Sequence, residues 1–212
     1  MYKKLILLLV TGILAIQIAG CGNKKNQEST EVESAVENST ADSDSSQIDL
    51  EDWPDLPGTE TEAEEVFYEP ADLSCSLPKG FKALDGEEGI YVYKTYPKDI
   101  STISYVISEN DEDITQMSVD EYKKLLEDDF LDTYGDEVTV NITSYKKINV
   151  DGRNGLKIKL SYEFKGVEYE QLNYIFFNGD ESHIMCYTQE ADAGWMEKFE
   201  ESGDSLRFVA RE

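Results

Sequence analysis

The sequence predicts an α+β domain, a central antiparallel sheet of about six or seven strands flanked by helices, and three observations predict it. Between residues 67 and 208, short runs of alternating apolar residues are separated by glycine-containing turn pairs. Two other stretches repeat apolar residues at spacings of three and four, the period of a helix packed by one face. Upstream of residue 67 the chain is a short apolar leader followed by polar and acidic residues too sparse in aliphatics to build a core.

Taken in order, residues 72–77 alternate Leu73, Cys75 and Leu77 on one face, and Pro78-Lys79-Gly80 ends that strand. Residues 90–96 and 102–107 are the next two strands, with Asp85-Gly86 and Pro97-Lys98-Asp99 as connections. Ser118 and Glu121 form a capping-box pattern. Val119, Tyr122, Leu126 and Phe130 follow at helical spacing with Leu125 alongside, and Gly135 marks the end. A meander comes next, in residues 138–150, 155–164, 167–177 and 182–189. Its joints are the hairpin turns Asp151-Gly152, Lys165-Gly166 and Asn178-Gly179, and Asp-Gly and Asn-Gly supply the positive φ angles that tight antiparallel connections need. A last amphipathic helix over 192–202 presents Trp195, Met196 and Phe199, and Leu206 and Phe208 close the chain as packing residues. Seven strands and two helices in this length match a single sheet with helices laid on it. No internal repeat is present.

The 45 acidic and 19 basic residues leave a formal net charge of -26. Nucleic acid is excluded as a partner, because binding it needs Lys and Arg to displace counterions from phosphates. An anionic membrane surface repels such a chain too, so contact with a bilayer calls for a covalent anchor. The amino terminus supplies the pattern for one. Lys3 and Lys4 precede an apolar run from Leu5 to Ile18, and small residues follow before Cys21. That run falls short of the roughly 20 residues a permanent span requires, so residues 1–20 read as a cleaved signal peptide. Ile18-Ala19-Gly20-Cys21 resembles the bacterial lipobox. The resemblance implies a cysteine that becomes the new first residue and carries a diacylglycerol and fatty acyl chains such as palmitate. Two chains anchor a protein stably where one does not.

Residues 21–66 are then the lipidated cysteine and an acidic Ser/Thr-rich tether. Fourteen acids between Glu28 and Glu65 face only Lys24 and Lys25, and their repulsion extends the chain. A coil of this length spans about 35–40 Å, with a stretched limit near ~150 Å. Trp53-Pro54-Asp55-Leu56-Pro57-Gly58 breaks the composition and reads either as a docking motif for another protein or as a segment that folds back on its own domain.

The order of elements from Pro78-Lys79-Gly80-Phe81, through the Ser118 helix, the Asp151-Gly152 hairpin and the Gln171 strand before Asn178-Gly179, to the closing helix and apolar tail, resembles the Mog1/PsbP-like family and its DcrB-like bacterial lipoproteins. The resemblance implies a central antiparallel sheet between helices and an accessory or binding role. It carries no functional residue over to a position in this chain.

Site chemistry is sparse. His183 is the only histidine, and His183 and Cys186, three apart on a strand, point to opposite faces, so they form neither a metal pair nor a nucleophile-base pair. No nucleophile elbow, phosphate loop or dinucleotide glycine pattern occurs. Cys75 and Cys186 remain after Cys21 is lipidated, and outside the cytoplasm they are either a disulfide or two buried thiols. Asp111, Glu112 and Asp113 offer oxygen ligands for calcium without the EF-hand spacing, and the alternative is a solvated turn before the Ser118 helix. Tyr91 with Tyr93, and Tyr162 with Phe164, line strand faces as core packing or as a ligand platform. The expectation is a non-catalytic, membrane-anchored module on the extracytoplasmic face of a bacterial membrane, with a long tether that suits a Gram-positive wall. It needs no cofactor, and its partner is an envelope protein or small ligand. The rivals are an envelope hydrolase working through a carboxylate pair and a structural spacer without ligand.

Overall fold

The computed structural model describes residues 70–109 and 113–211. The elements run β1 (Ala71–Ser74), β2 (Phe81–Ala83), β3 (Ile90–Tyr93), β4 (Thr102–Glu109), one 3-10 turn (Ile114–Gln116), α1 (Val119–Tyr134), β5 (Val140–Val150), β6 (Arg153–Phe164), β7 (Val167–Phe177), β8 (Glu181–Glu190), α2 (Met196–Gly203) and β9 (Arg207–Ala210). Seven strands make one antiparallel sheet in the order β2-β3-β4-β8-β7-β6-β5, and β1 pairs with β9 in a separate ribbon. The fold is therefore the α+β class read from the sequence.

The meander from β5 to β8 forms because its turns demand what their residues provide. Asp151 and Gly152 have φ of 49° and 81°, and Lys165 and Gly166 have 52° and 79°, so each pair turns a right-twisted hairpin. α1 then solves the remaining connection, carrying the chain from the interior strand β4 to the far edge at β5. Its start is closed by the capping box: the Glu121 N–H donates to Ser118 Oγ, and Glu121 Oε2 accepts from the Ser118 N–H at 2.8 Å. Gly135, at φ 71°, ends it in the left-handed conformation.

Alternation along the strands splits the core in two. One face carries Leu156, Ile158, Leu160 and Tyr162 of β6 with Ile175, Ile184 and Cys186, under Tyr122, Leu126 and Phe130 of α1. The other carries Leu172, Tyr174 and Phe176 of β7 with Met185 and Tyr187, under Phe199 of α2 and Leu73 of the ribbon. The central strands β7 and β8 are consequently buried on both faces along most of their length, where a one-sided sheet would alternate. Each large apolar side chain so enclosed contributes about 1.5–3 kcal/mol of burial. Tyr91, Tyr93, Tyr162 and Phe164 all pack into these clusters, which is the core-packing reading of the tyrosine pairs.

Strand membership differs from the sequence reading in three places. The first strand, expected in the main sheet, is shorter and pairs with β9 instead. The seventh sheet strand is β2, whose three residues are too few to show a period. The tail around Leu206 and Phe208, read only as packing, includes the strand β9. α2 begins at Met196 rather than near residue 192, because Gly194 at φ 76° sets a turn before it.

Candidate functional site

A connected set of polar groups lies where the ribbon meets the sheet. Among the described residues β1 is the first element, so this is the root of the predicted tether. Antiparallel pairing sets Ala71 against Ala210 and Ser74 against Arg207, placing the entry of β1 beside the exit of β9. Arg211 closes that end. Its Nε donates to Asp72 Oδ1 at 2.6 Å, its terminal nitrogens donate to Glu181 Oε1 and Oε2 at 3.0 and 2.8 Å, and its backbone N–H reaches the Pro70 carbonyl at 3.2 Å. A guanidinium fork suits this task because two parallel bonds fix the carboxylate in orientation as well as in distance. One side chain thus ties β1, the end of β9 and β8 together. The Arg211 bonds hold the Glu181 carboxyl below the usual carboxylate range, against a smaller opposing effect of burial.

Beneath this staple sits His183, fully buried on the ribbon face of β8. Its Nδ1 lies 2.8 Å from Tyr105 Oη on β4, and the same oxygen accepts the Leu73 N–H of β1 at 2.9 Å. With Nδ1 unprotonated the phenol donates to it and Nε2 carries the hydrogen, and in the other tautomer Nδ1–H donates to the phenol oxygen. Nε2 is 3.5 Å from Glu181 Oε2 and has no hydrogen-bond partner. Burial is the main cause that pushes the imidazole below its ordinary value, with Glu181 opposing and Arg211 assisting. Burial also pushes the Tyr105 hydroxyl up to about 12. A phenol so far from ionising is a donor and not a nucleophile. Phe208 of β9 packs edge-on to the His183 ring at 5.5 Å between centroids, and Arg153 of β6 lies over Phe208 at 4.3 Å.

The residues singled out from the sequence are not brought together. Cys21 and the Trp53 segment lie outside the described residues, as do Asp111 and Glu112. Asp113 does not stand open for calcium: its Oδ1 caps the 3-10 turn, accepting from the Thr115 N–H at 2.9 Å and from Thr115 Oγ1 at 2.6 Å. Among the described residues no group of three His, Cys, Asp or Glu side chains is placed to hold a metal ion. The disulfide option is corrected. Cys75 and Cys186 are free thiols, Cys186 in the cluster under α1 and Cys75 against the cluster on the ribbon face, so the sheet itself stands between them. Burial pushes the Cys186 thiol up to about 11, which keeps it protonated. His183 and Cys186 do point to opposite faces.

One acid meets part of the description of a hydrolytic carboxyl. Asp129 on α1 is 8% exposed, its Oδ2 has no partner, and burial together with the neighbouring Asp132 charge pushes it up to about 6. Because this folded value stands above the ordinary 3.8, the group's contribution to stability is full below the ordinary value and is lost as pH rises through about 6. Asp129→Asn removes that loss. The expected gain is about 1 kcal/mol at pH 7.5, after allowing for screening by water at the helix surface, and none at pH 3. Urea midpoints of the two proteins at both pH values measure it, and an equal shift at both would mean that the charge is not the cause.

Sequence reasoning missed Tyr105, Glu181, Arg211 and Asp72, whose partners lie 30 to 139 positions away along the chain. The single available signal was His183 sharing a face with Met185 and Tyr187.

No protein-family model and no curated protein matches the chain. Solved structures similar to it include cyanobacterial PsbP (CyanoP) from Synechocystis sp. PCC 6803, at 11% identity and a TM-score of 0.48, over 72% of this chain and 100% of that one. LpqN of Mycobacterium tuberculosis, described as involved in cell envelope biogenesis, is similar at 10% identity and a TM-score of 0.46, over 66% of this chain and 85% of that one. PA94 from Pseudomonas aeruginosa, of unknown function, is similar at 12% identity and a TM-score of 0.37, over 62% of this chain and 96% of that one.

Proposed function

We propose that this chain is a bacterial lipoprotein held on the extracytoplasmic face of the cell membrane through Cys21, with residues 1–20 as leader, 21–66 as tether and 67–212 as a binding or accessory module of the envelope. The observation that carries the reading is the lipobox pattern Ile18-Ala19-Gly20-Cys21 behind a short apolar run. Two features support it. Fourteen acids against two lysines make that segment self-repelling in composition, which suits the task of holding a domain clear of an anionic surface. The domain takes up that segment at β1, and Arg211 binds the point of entry to both the sheet and the carboxy-terminal strand. Among the described residues no helix is long and apolar enough to cross a membrane. The resemblance to Mog1/PsbP-like lipoproteins fits an accessory role, and a Gram-positive wall is the envelope that a tether of this length suits.

Crosslinking on intact cells, followed by recovery of the full chain and mass spectrometry of what comes with it, tests the module. The expected result is one envelope partner recovered repeatedly. Recovery of none across crosslinkers of different reach would leave the spacer reading in its place. The hydrolase reading has Asp129 with Asp132 in its favour, and it predicts a second acid facing Asp129 across a cleft. Asp132 lies one helical turn along from Asp129 on the same helix and is exposed.

A further inference from the structure

We infer that His183 is a proton-sensitive latch for the β1–β9 ribbon: in its neutral form it holds the root of the tether against the sheet, and its protonation loosens the ribbon while the seven-stranded sheet stays folded. The geometry assigns the role. In the neutral state a chain of two hydrogen bonds runs from the Leu73 N–H to Tyr105 Oη at 2.9 Å and from that hydroxyl to His183 Nδ1 at 2.8 Å. The middle oxygen belongs to β4 and the acceptor to β8, so the backbone of β1 is gripped by the main sheet through one phenol. A proton placed on Nδ1 reverses the second bond. The phenol oxygen can accept from Nδ1–H as well as from Leu73, but its own proton then has lost its acceptor inside a closed contact.

The charges around the ring decide what protonation costs, and they come from every element packed there. Glu181 of β8, 3.5 Å from Nε2, favours the cation, and so does Asp72 of β1. Arg211 beyond β9 and Arg153 of β6 oppose it, and Arg211 already engages both carboxylates. Tyr105 of β4 is uncharged at these pH values. Phe208 of β9 and Phe176 of β7, which pack on each other, add apolar surface beside the ring. The relief available to a protonated His183 is therefore contact with water, which requires the ribbon to lift. The ribbon has no backbone ladder to the seven-stranded sheet and is held to it by side chains, the Arg211–Glu181 pair, Asp151 on the Phe208 N–H and Tyr105 on the Leu73 N–H, whereas β8 is laddered on both sides. The ribbon is the part that yields.

The direction in pH follows from linkage. An imidazole whose folded value lies below its ordinary 6.5 contributes stability that is complete above 6.5 and is lost as pH falls through the folded value. Acidification at the envelope surface is the condition that would free the tether root.

Hydrogen exchange of the full chain at pH 7.5 and 5.5, corrected for the intrinsic pH dependence of exchange, reads this out. The expected result is a loss of protection of up to about tenfold at Leu73 and across β9 on acidification, with the amides of β6 and β7 unchanged. His183→Gln, whose side-chain oxygen still accepts from Tyr105, is expected to keep the ribbon protected at both pH values. A ribbon equally protected at both pH values in the natural sequence overturns the proposal, as does a His183→Gln protein with the same acid response. Should that variant fail to fold, the histidine ring resonances of the natural sequence, which come from one residue, give its tautomer and titration directly. The proposal requires the Nε2–H form at pH 7.5 and a titration midpoint that coincides with ribbon opening. Separate midpoints, or the Nδ1–H tautomer, reject it.

Discussion

Cys21→Ser is expected to produce a protein with no fatty acyl mass. A hydroxyl does not replace the thiol in this chemistry, because the lipid is taken by the sulfur and serine is a far weaker nucleophile at neutral pH. Intact-mass analysis of the natural product should show a chain that begins at Cys21, lacks residues 1–20 and bears the added acyl mass. The serine variant should show none of that mass, and in fractionation its appearance in the soluble fraction or its retention as an uncleaved precursor replaces stable anchoring. The effect is close to all-or-none because two acyl chains hold a protein firmly and electrostatics offer no substitute: a chain whose full sequence has a formal net charge of -26 is repelled by anionic headgroups. A natural product that still starts at Met1, or a mature Cys21 without acyl mass, would remove the basis of the proposed function.

Gly155→Val is expected to destabilise the domain by about 3 kcal/mol, near the upper end for an overpacked core position. Gly155 sits within β6 with an ordinary backbone conformation, so the demand for glycine is steric. A Cβ there would lie 2.5 Å from the carbonyl oxygen of Ile175 and 2.5 Å from the Phe176 ring. The ring is fully buried against Phe208, and the carbonyl belongs to the β6–β7 ladder, where Leu156 pairs with Ile175 and Gly155 with Phe176. Relief therefore means breaking ladder bonds in a sheet buried on both faces. Denaturant unfolding of the two proteins measures the loss. A shift in midpoint below that of an ordinary surface substitution would mean that β6 can move away from β7 at this position. The strain would reach the ribbon as well, since Phe176 packs against Phe208 at 5.3 Å between centroids.

Local features of the fold were legible in the sequence wherever a short segment carries its own instruction. Asp151-Gly152 and Lys165-Gly166 turn because residues at positive φ are adjacent in the chain. Ser118 and Glu121 start α1 because their reciprocal bonds span three positions. The opposition of His183 and Cys186 follows from strand alternation alone. The short strand β2, by contrast, leaves no period in three residues, and nothing in residues 71–74 says that their partner is the far end of the chain.

Taken alone, the sequence determined the α+β class, the helix α1, the four-strand meander and the leader pattern ending at Cys21, because each is encoded by residues close to one another. Only the tertiary structure decided that β1 leaves the sheet for β9, that Cys75 and Cys186 lie on opposite faces of it, and that Tyr105, His183, Glu181, Arg211 and Asp72 converge at the tether root. Those meetings join positions up to 139 residues apart. Chain entropy opposes every such closure about equally across long separations, so spacing carries no trace of which ones form, and the packing of the two core faces selects among them.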